Sequence, residues 1–367
     1  KIFKSTSWDG EEMEEGRLIP NPTFTGTGPA QPYLDYAMRS LLNNAPNDFV
    51  QEIRNKVTEL NNIDVFGNIS NFINLEKLSL SRSYDSPDAS NVVSLKEFSE
   101  FKKLTDLSID DYSIDGNQDM EGLSTLSKLK HLSLSGDEIS LKTLEGLSGC
   151  QEIESIRLNS HGDSKLKNID GLKGLKALKT IEIDNAESLE NLDGIQGCSS
   201  LMKIVISSVV SLKNVDGLKG LKELKTIEIR SAESLENLDG LQGCSALEYL
   251  SIESDSLDNI DGLKNLKALN SITLNIVNLK NVDGLAGCKN LEDCLINSQY
   301  GGQTCENLEN LNGLKGINKI KELTIPASSI LINLDGLAGM DGLRKINLNA
   351  KNFEFTQKIP PIRGVNI

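Results

Sequence analysis

Along most of the chain the apolar residues follow one recurring pattern: they come at three-residue intervals and then alternate with polar residues, as in Leu172, Leu175, Leu178, Ile181 and Ile183. Period three followed by period two describes a turn, helical or extended, that feeds one short strand. Twelve strand-like segments can be marked, beginning at Leu75, Leu104, Leu129, Ile153, Leu178, Leu201, Leu224, Leu247, Leu269, Leu291, Ile320 and Leu343. Between them recurs an apolar-Asp-Gly-apolar element, as in Ile169-Asp170-Gly171-Leu172 and Val215-Asp216-Gly217-Leu218. From Gly171 to Gly336 its glycines are spaced 23, 23, 23, 22, 22, 29 and 23 residues apart. So short a coil cannot bury its apolar side alone, whereas stacked coils share one continuous core. The expected product is a solenoid whose strands form a parallel sheet along one face, a rod roughly 53 Å long at ~4.8 Å per strand.

A second period lies on the first. Residues 171–216 and 217–262 are near copies in which a Lys-rich turn alternates with a Gly-Cys turn, pointing to duplication of a two-coil unit. The stretches Gly197-Cys198-Ser199-Ser200-Leu201-Met202-Lys203-Ile204-Val205-Ile206, Gly243-Cys244-Ser245-Ala246-Leu247 and Leu323-Thr324-Ile325-Pro326 resemble the BspA-like (Treponema-type) class of bacterial leucine-rich repeats. Asp-Gly-Leu stands where that class has Ala-Phe, and there the chain is more similar to internalin-type repeats. The resemblance spans residues 65–350. It implies an α/β solenoid, a curved rod with the parallel sheet on its concave face, about twelve coils and a helical N-terminal cap. It also implies display on a bacterial cell surface or secretion, in an adhesion or interaction role.

The ends differ in kind. Residues 1–64 hold five of the nine prolines and the acidic run Asp9-Gly10-Glu11-Glu12-Met13-Glu14-Glu15, and read as an extended leader followed by a helical cap. Helix-start residues open Asp35–Leu42 and Asn47–Ile53, which would hide the first coil. Residues 351–367, with Phe353 and Phe355, would close the other end, and 297–306 form an insert in the longest coil. Of sixteen aromatic residues twelve precede residue 113, so the coils must pack aliphatic side chains. The chain starts Lys1-Ile2-Phe3-Lys4 without Met or a signal-type apolar run, as a processed end would, and a lipid-attachment signal could precede it. No run approaches the ~18 apolar residues of a membrane span.

A net charge of −15 sets the chain against unassisted phosphate-backbone binding, so nucleic acid is not an expected partner. Cys150, Cys198, Cys244 and Cys288 occupy the inward position that Leu175, Leu221 and Leu266 hold in alternate coils. Placed two coils apart, they are too distant for disulfides and read as core thiols, not metal ligands. Cys294 also faces inward, and a Cys294–Cys305 bond stays open. The two histidines, His131 and His161, lie in different coils with no nucleophile elbow or phosphate loop. No catalytic residues, metal or cofactor are expected.

Function is therefore sought on the sheet. The middle outward column should read Ser79, Ser108, Ser133, Arg157, Glu182, Val205, Glu228, Ser251, Thr273, Leu295, Thr324 and Asn347. Charge and size concentrate at its centre, and protein contacts favour Arg and Tyr. The candidate partner-binding residues are Arg157, Glu182, Lys203, Glu228, Arg230, Tyr249 and Glu253, with Tyr300 presented by the insert. The plain alternative is a solvated face carrying cross-strand charge pairs. On the turns, Lys173, Lys176, Lys219, Lys222, Lys264, Lys267 and Lys315 recur at every second coil, either as solubilising residues or as a stripe for an anionic surface. The expectation is a monomeric, noncatalytic scaffold that binds a protein or other macromolecule. The alternatives are an intracellular interaction scaffold and a hydrolase with its site in the leader or insert.

Overall fold

A computed structural model describes residues 55–63, 72–82, 92–114, 120–162, 164–297, 305, 307–326, 328, 330–331 and 334–349. Its strands are β1 (Glu59–Ile63), β2 (Lys77–Ser81), β3 (Val92–Val93), β4 (Asp106–Asp110), β5 (Ser113–Ile114), β6 (His131–Gly136), β7 (Ser155–Ser160) and β8 (Thr180–Asp184). They continue as β9 (Lys203–Ile206), β10 (Thr226–Ile229), β11 (Tyr249–Ser254), β12 (Ser271–Ile276), β13 (Asp293–Asn297), β14 (Glu322–Pro326) and β15 (Lys345–Asn349). All but β3 and β5, which pair with each other, form one 13-stranded sheet in chain order. In strands such as β4, β8 and β11 buried Leu and Ile alternate with partly exposed residues, the signature of one covered and one open face.

The sheet has one strand more than the twelve expected. β1 joins β2 in parallel, Glu59 opposite Lys77, inside the span assigned to the cap. Its apolar residues Leu60 and Ile63 are spaced by three and do not alternate, so the pattern hides it. The segments expected as cap helices, the C-terminal closure and Tyr300 lie outside the described residues.

Each Asp-Gly-apolar element is a single 3-10 turn, as at Asp170–Leu172 and Asp216–Leu218. An asparagine two residues earlier starts it: Asn168 Oδ1 accepts the Asp170 N–H at 3.2 Å, and Asn214 Oδ1 the Asp216 N–H at 3.1 Å. The same bond recurs at Asp193, Asp239, Asp261, Asp283 and Asn312. An Asx turn of this kind fixes the backbone entering the turn. The glycine that follows is required by stacking. A Cβ on Gly217 would lie 1.8 Å from the Leu192 carbonyl oxygen of the preceding coil.

The two-coil period has a bonding counterpart. Gly174 N–H donates to Gln196 O at 2.9 Å, and the Cys198 thiol donates back to Leu172 O at 3.2 Å. Gly220 with Gln242 and Cys244 with Leu218 repeat this exchange, as do Asn265 with Ala286 and Cys288 with Leu263. A Lys-rich turn and the Gly-Cys turn after it are thus tied by two bonds at the stacked turns. All six cysteines are free and buried, so Cys294 and Cys305 form no bond with each other. Burial pushes the Cys150 and Cys294 thiols up to about 12.

Candidate functional site

The open face displays the middle column in the anticipated register. Ser79 pairs with Ser108, Ser108 with Ser133, Ser133 with Arg157 and Arg157 with Glu182. Glu182 then faces Val205, and Glu228 stands between Val205 and Ser251. Thr273, Leu295, Thr324 and Asn347 complete it. Because the ladder fixes neighbours at ~4.8 Å, side chains in one column interact across strands.

The seven candidate residues separate into clusters. Lys203 Nζ sits 2.6 Å from Glu182 Oε1, and Arg157 Nε 3.6 Å from Glu182 Oε2, a cation–carboxylate–cation chain across β7, β8 and β9. Val205 follows in the column, and beyond it Arg230 Nη2 bonds Glu228 Oε2 at 2.6 Å within one run of chain. Glu253 lies on β11; burial pushes its carboxyl up and Asp255 adds to this, with Arg230 partly offsetting both. Tyr249 is half-buried in the first column, between Thr226 and Ser271. The charge pairs match the plain alternative for these positions. Their heads are largely in water, Arg157 at 60% and Arg230 at 55% side-chain exposure, where such pairs contribute ~0–1 kcal/mol.

A depression on this face lies nearer the N-terminal end. About 470 Å³ of open space extends across the strands from β1 to β8. Ser79, Ser108 and Ser133 lie in its floor column, with Lys77, Asp106, His131, Ser155 and Thr180 along one side and Arg157 and Glu182 at the far end. The signal for it was in the sequence: three serines in consecutive middle positions leave a floor low between longer neighbours. Serine carries neither charge nor aromatic area, so those two criteria pass over it.

Two further contacts belong to this depression. His131 Nδ1 lies 2.9 Å from Ser155 Oγ, a pairing of residues from different coils that spacing alone does not suggest. Asp106, the opposite neighbour of His131, takes the Thr105 hydroxyl at 2.6 Å. An acyl-transfer site needs the carboxylate to orient the imidazole, and the described contacts do not assemble that set. Asp110, two residues beyond Ser108 on β4, accepts the Ser108 hydroxyl at 3.0 Å. Burial raises its carboxyl above the usual range; Asp111 adds to this, and the Ser108 bond and Arg157 oppose it. Among the described residues no three His, Cys, Asp or Glu side chains could hold a metal ion. The turn lysines are exposed, and Lys264 pairs with Asp261 at 3.0 Å.

No protein-family model and no curated protein matches the chain. Solved structures do, 129 chains in all. An internalin from Listeria monocytogenes is 17% identical, with 87% of this chain and 95% of that one covered and a TM-score of 0.41. The functional domain of InlJ from the same organism, described as including a cysteine ladder, is 14% identical over 83% of this chain, with a TM-score of 0.50. The fold is a leucine-rich repeat solenoid. This solenoid spans 60% of the InlJ chain. A leucine-rich repeat protein from Leptospira interrogans is a further neighbour, 16% identical over 83% of this solenoid and 93% of that chain, with a TM-score of 0.36. Among the described residues no helix is long and apolar enough to cross a membrane.

Proposed function

We propose that the chain is a noncatalytic binding scaffold that recognises a protein through the open face of its sheet. One observation carries this reading: the covered face is a continuous apolar core, while the other presents a depression of about 470 Å³ lined by side chains in strict register. Stacking explains every inward position and none of the outward ones. Such a surface, rigid and built on strands, suits recognition because little ordering entropy is lost on binding.

The BspA-like resemblance supports placing the scaffold on or outside a bacterial cell, as a monomer in an adhesion or interaction role. Photo-crosslinking residues at Ser108 and Tyr249 on the sheet and at Lys222 on the turns test the binding reading. Partner adducts are expected from the sheet positions. Adducts from Lys222 alone, or none, would reject it. The export reading is checked by whether the precursor carries a signal sequence ahead of Lys1.

A further inference from the structure

Resting on that reading, we propose that the depression takes an extended polypeptide segment with one cationic and one acidic side chain. The cation would sit on the Asp106 carboxylate, and the acid would meet Arg157 and Lys203.

The charge layout carries the argument. On β4, Asp106 and Asp110 flank Ser108. Among the described residues neither has an ion-pair partner, and both turn to hydroxyls, of Thr105 and Ser108. Asp106, which lines the depression, is half-buried, a position that costs a carboxylate hydration that an arriving cation offsets. At the other end, Glu182 is shared between Arg157 and Lys203, which leaves that chain with one net positive charge. Arg157 meets Glu182 through Nε, with 60% of its side chain exposed, so its terminal nitrogens can offer a fork to a second carboxylate.

Spacing selects the ligand. From β4 to β8, midway between Arg157 and Lys203, is three strand steps, ~14 Å. An extended chain advances ~3.3 Å per residue, so side chains about four positions apart span this gap and point to the same side. Between them the serine floor admits a main chain closely, and hydroxyls can serve its amide and carbonyl groups. The residues lining the depression include no Trp, Tyr or Phe on which a sugar ring could stack, which favours a peptide over a glycan.

The probe is a Gly/Ser peptide bearing one Lys and one Glu at that spacing, titrated into the full chain and followed by fluorescence anisotropy. Replacing its Lys or Glu by Gln, or bringing the two residues adjacent, is expected to weaken binding at least tenfold. So are Arg157→Glu and Asp106→Lys in the protein, with thermal midpoints held as a check on folding. Ser133→Leu should fill the floor and abolish binding while leaving the core untouched. Asp106→Lys should regain affinity for the peptide in which Glu replaces Lys. Equal binding of the charged and Gln peptides, no binding at all, or uptake of oligosaccharides in preference to peptides overturns the proposal. If the sheet-face crosslinkers still capture a partner and the depression variants leave that capture unchanged, this inference falls and the scaffold reading stands. If the crosslinkers fail as well, both fall.

Discussion

Replacing Gly217 by Ala tests whether coil stacking, and not turn conformation, is what requires the repeated glycine. The added Cβ would lie 1.8 Å from Leu192 O, against an ordinary contact of 3.4 Å or more, a shortfall of 3.4 − 1.8 = 1.6 Å. Backbone is all it meets: Leu192 C is 2.4 Å away, and Leu192 O already accepts the Ile195 N–H at 3.1 Å. Relief therefore requires the two coils to separate. Overpacking costs roughly 1–3 kcal/mol, and a clash with no flexible atom belongs at the top of that range, ~3 kcal/mol. Gly220 supplies the contrast. Its φ is +74° but nothing lies within 4 Å of its Cβ position, so Gly220→Ala carries only the left-handed penalty of ~1–2 kcal/mol. Urea unfolding should rank Gly217→Ala as the more damaging. Because each coil touches only its neighbours, amide exchange should rise first in β9 and β10, on either side of the wedge. Equal losses, or a greater loss at Gly220, would refute the stacking argument.

Other outcomes follow from single contacts. Asn214→Ala removes the acceptor for Asp216 N–H and should lower unfolding free energy by about 1 kcal/mol, as read by urea titration. Asp110→Asn should stabilise the protein near neutral pH. The raised folded-state carboxyl favours its neutral form, so the contribution is whole below the ordinary value of 3.8 and is lost as pH rises through the folded value; melting curves should show the gain at pH 7 and none at pH 3. With Cys150 and Cys294 at about 12, only a ~10⁻⁴ fraction is thiolate at pH 8. Mass spectrometry should therefore find both unalkylated by iodoacetamide until the chain unfolds. Stability held by these two thiols should be whole below their unfolded value near 9 and fade as pH climbs toward 12.

Much of the fold was legible because stacking repeats its demands. Every coil must supply inward apolar residues, an Asp-Gly turn and a strand, so the same positions return and a period can be read. β1 escaped because Leu60 and Ile63 do not alternate and no Asp-Gly turn announces it. The Asn that starts seven of the 3-10 turns was equally visible in the sequence, yet it acts through a local bond that apolar periodicity does not weigh. The site was legible only in register. Which outward residues neighbour one another followed from strand phase, but Arg157 bonding across to Glu182 and Arg230, just past β10, bonding back to Glu228 are rotamer choices that spacing cannot supply. The depression depends on the absence of bulk at Ser79, Ser108 and Ser133, and a search for reactive or aromatic side chains passes over small ones.

The bonds between turns bear on where the molecule can change. Gly174 and Gln196 are tied by backbone groups, and Cys198 adds a thiol to the same junction, so the Lys-rich and Gly-Cys turns differ in side chain while holding one geometry. Leu175 and Cys198 fill the same inward place, and near-complete burial leaves both little freedom. Outward positions face no such demand: Ser133, Arg157 and Glu182 succeed one another in a single column although the backbone beneath them is alike. When the covered face and the turns are both fixed by the coil next door, variation that survives folding collects in the open columns. A two-coil duplication therefore multiplies core and turns unchanged but delivers new outward residues side by side, at strand spacing, where they can act together on one ligand.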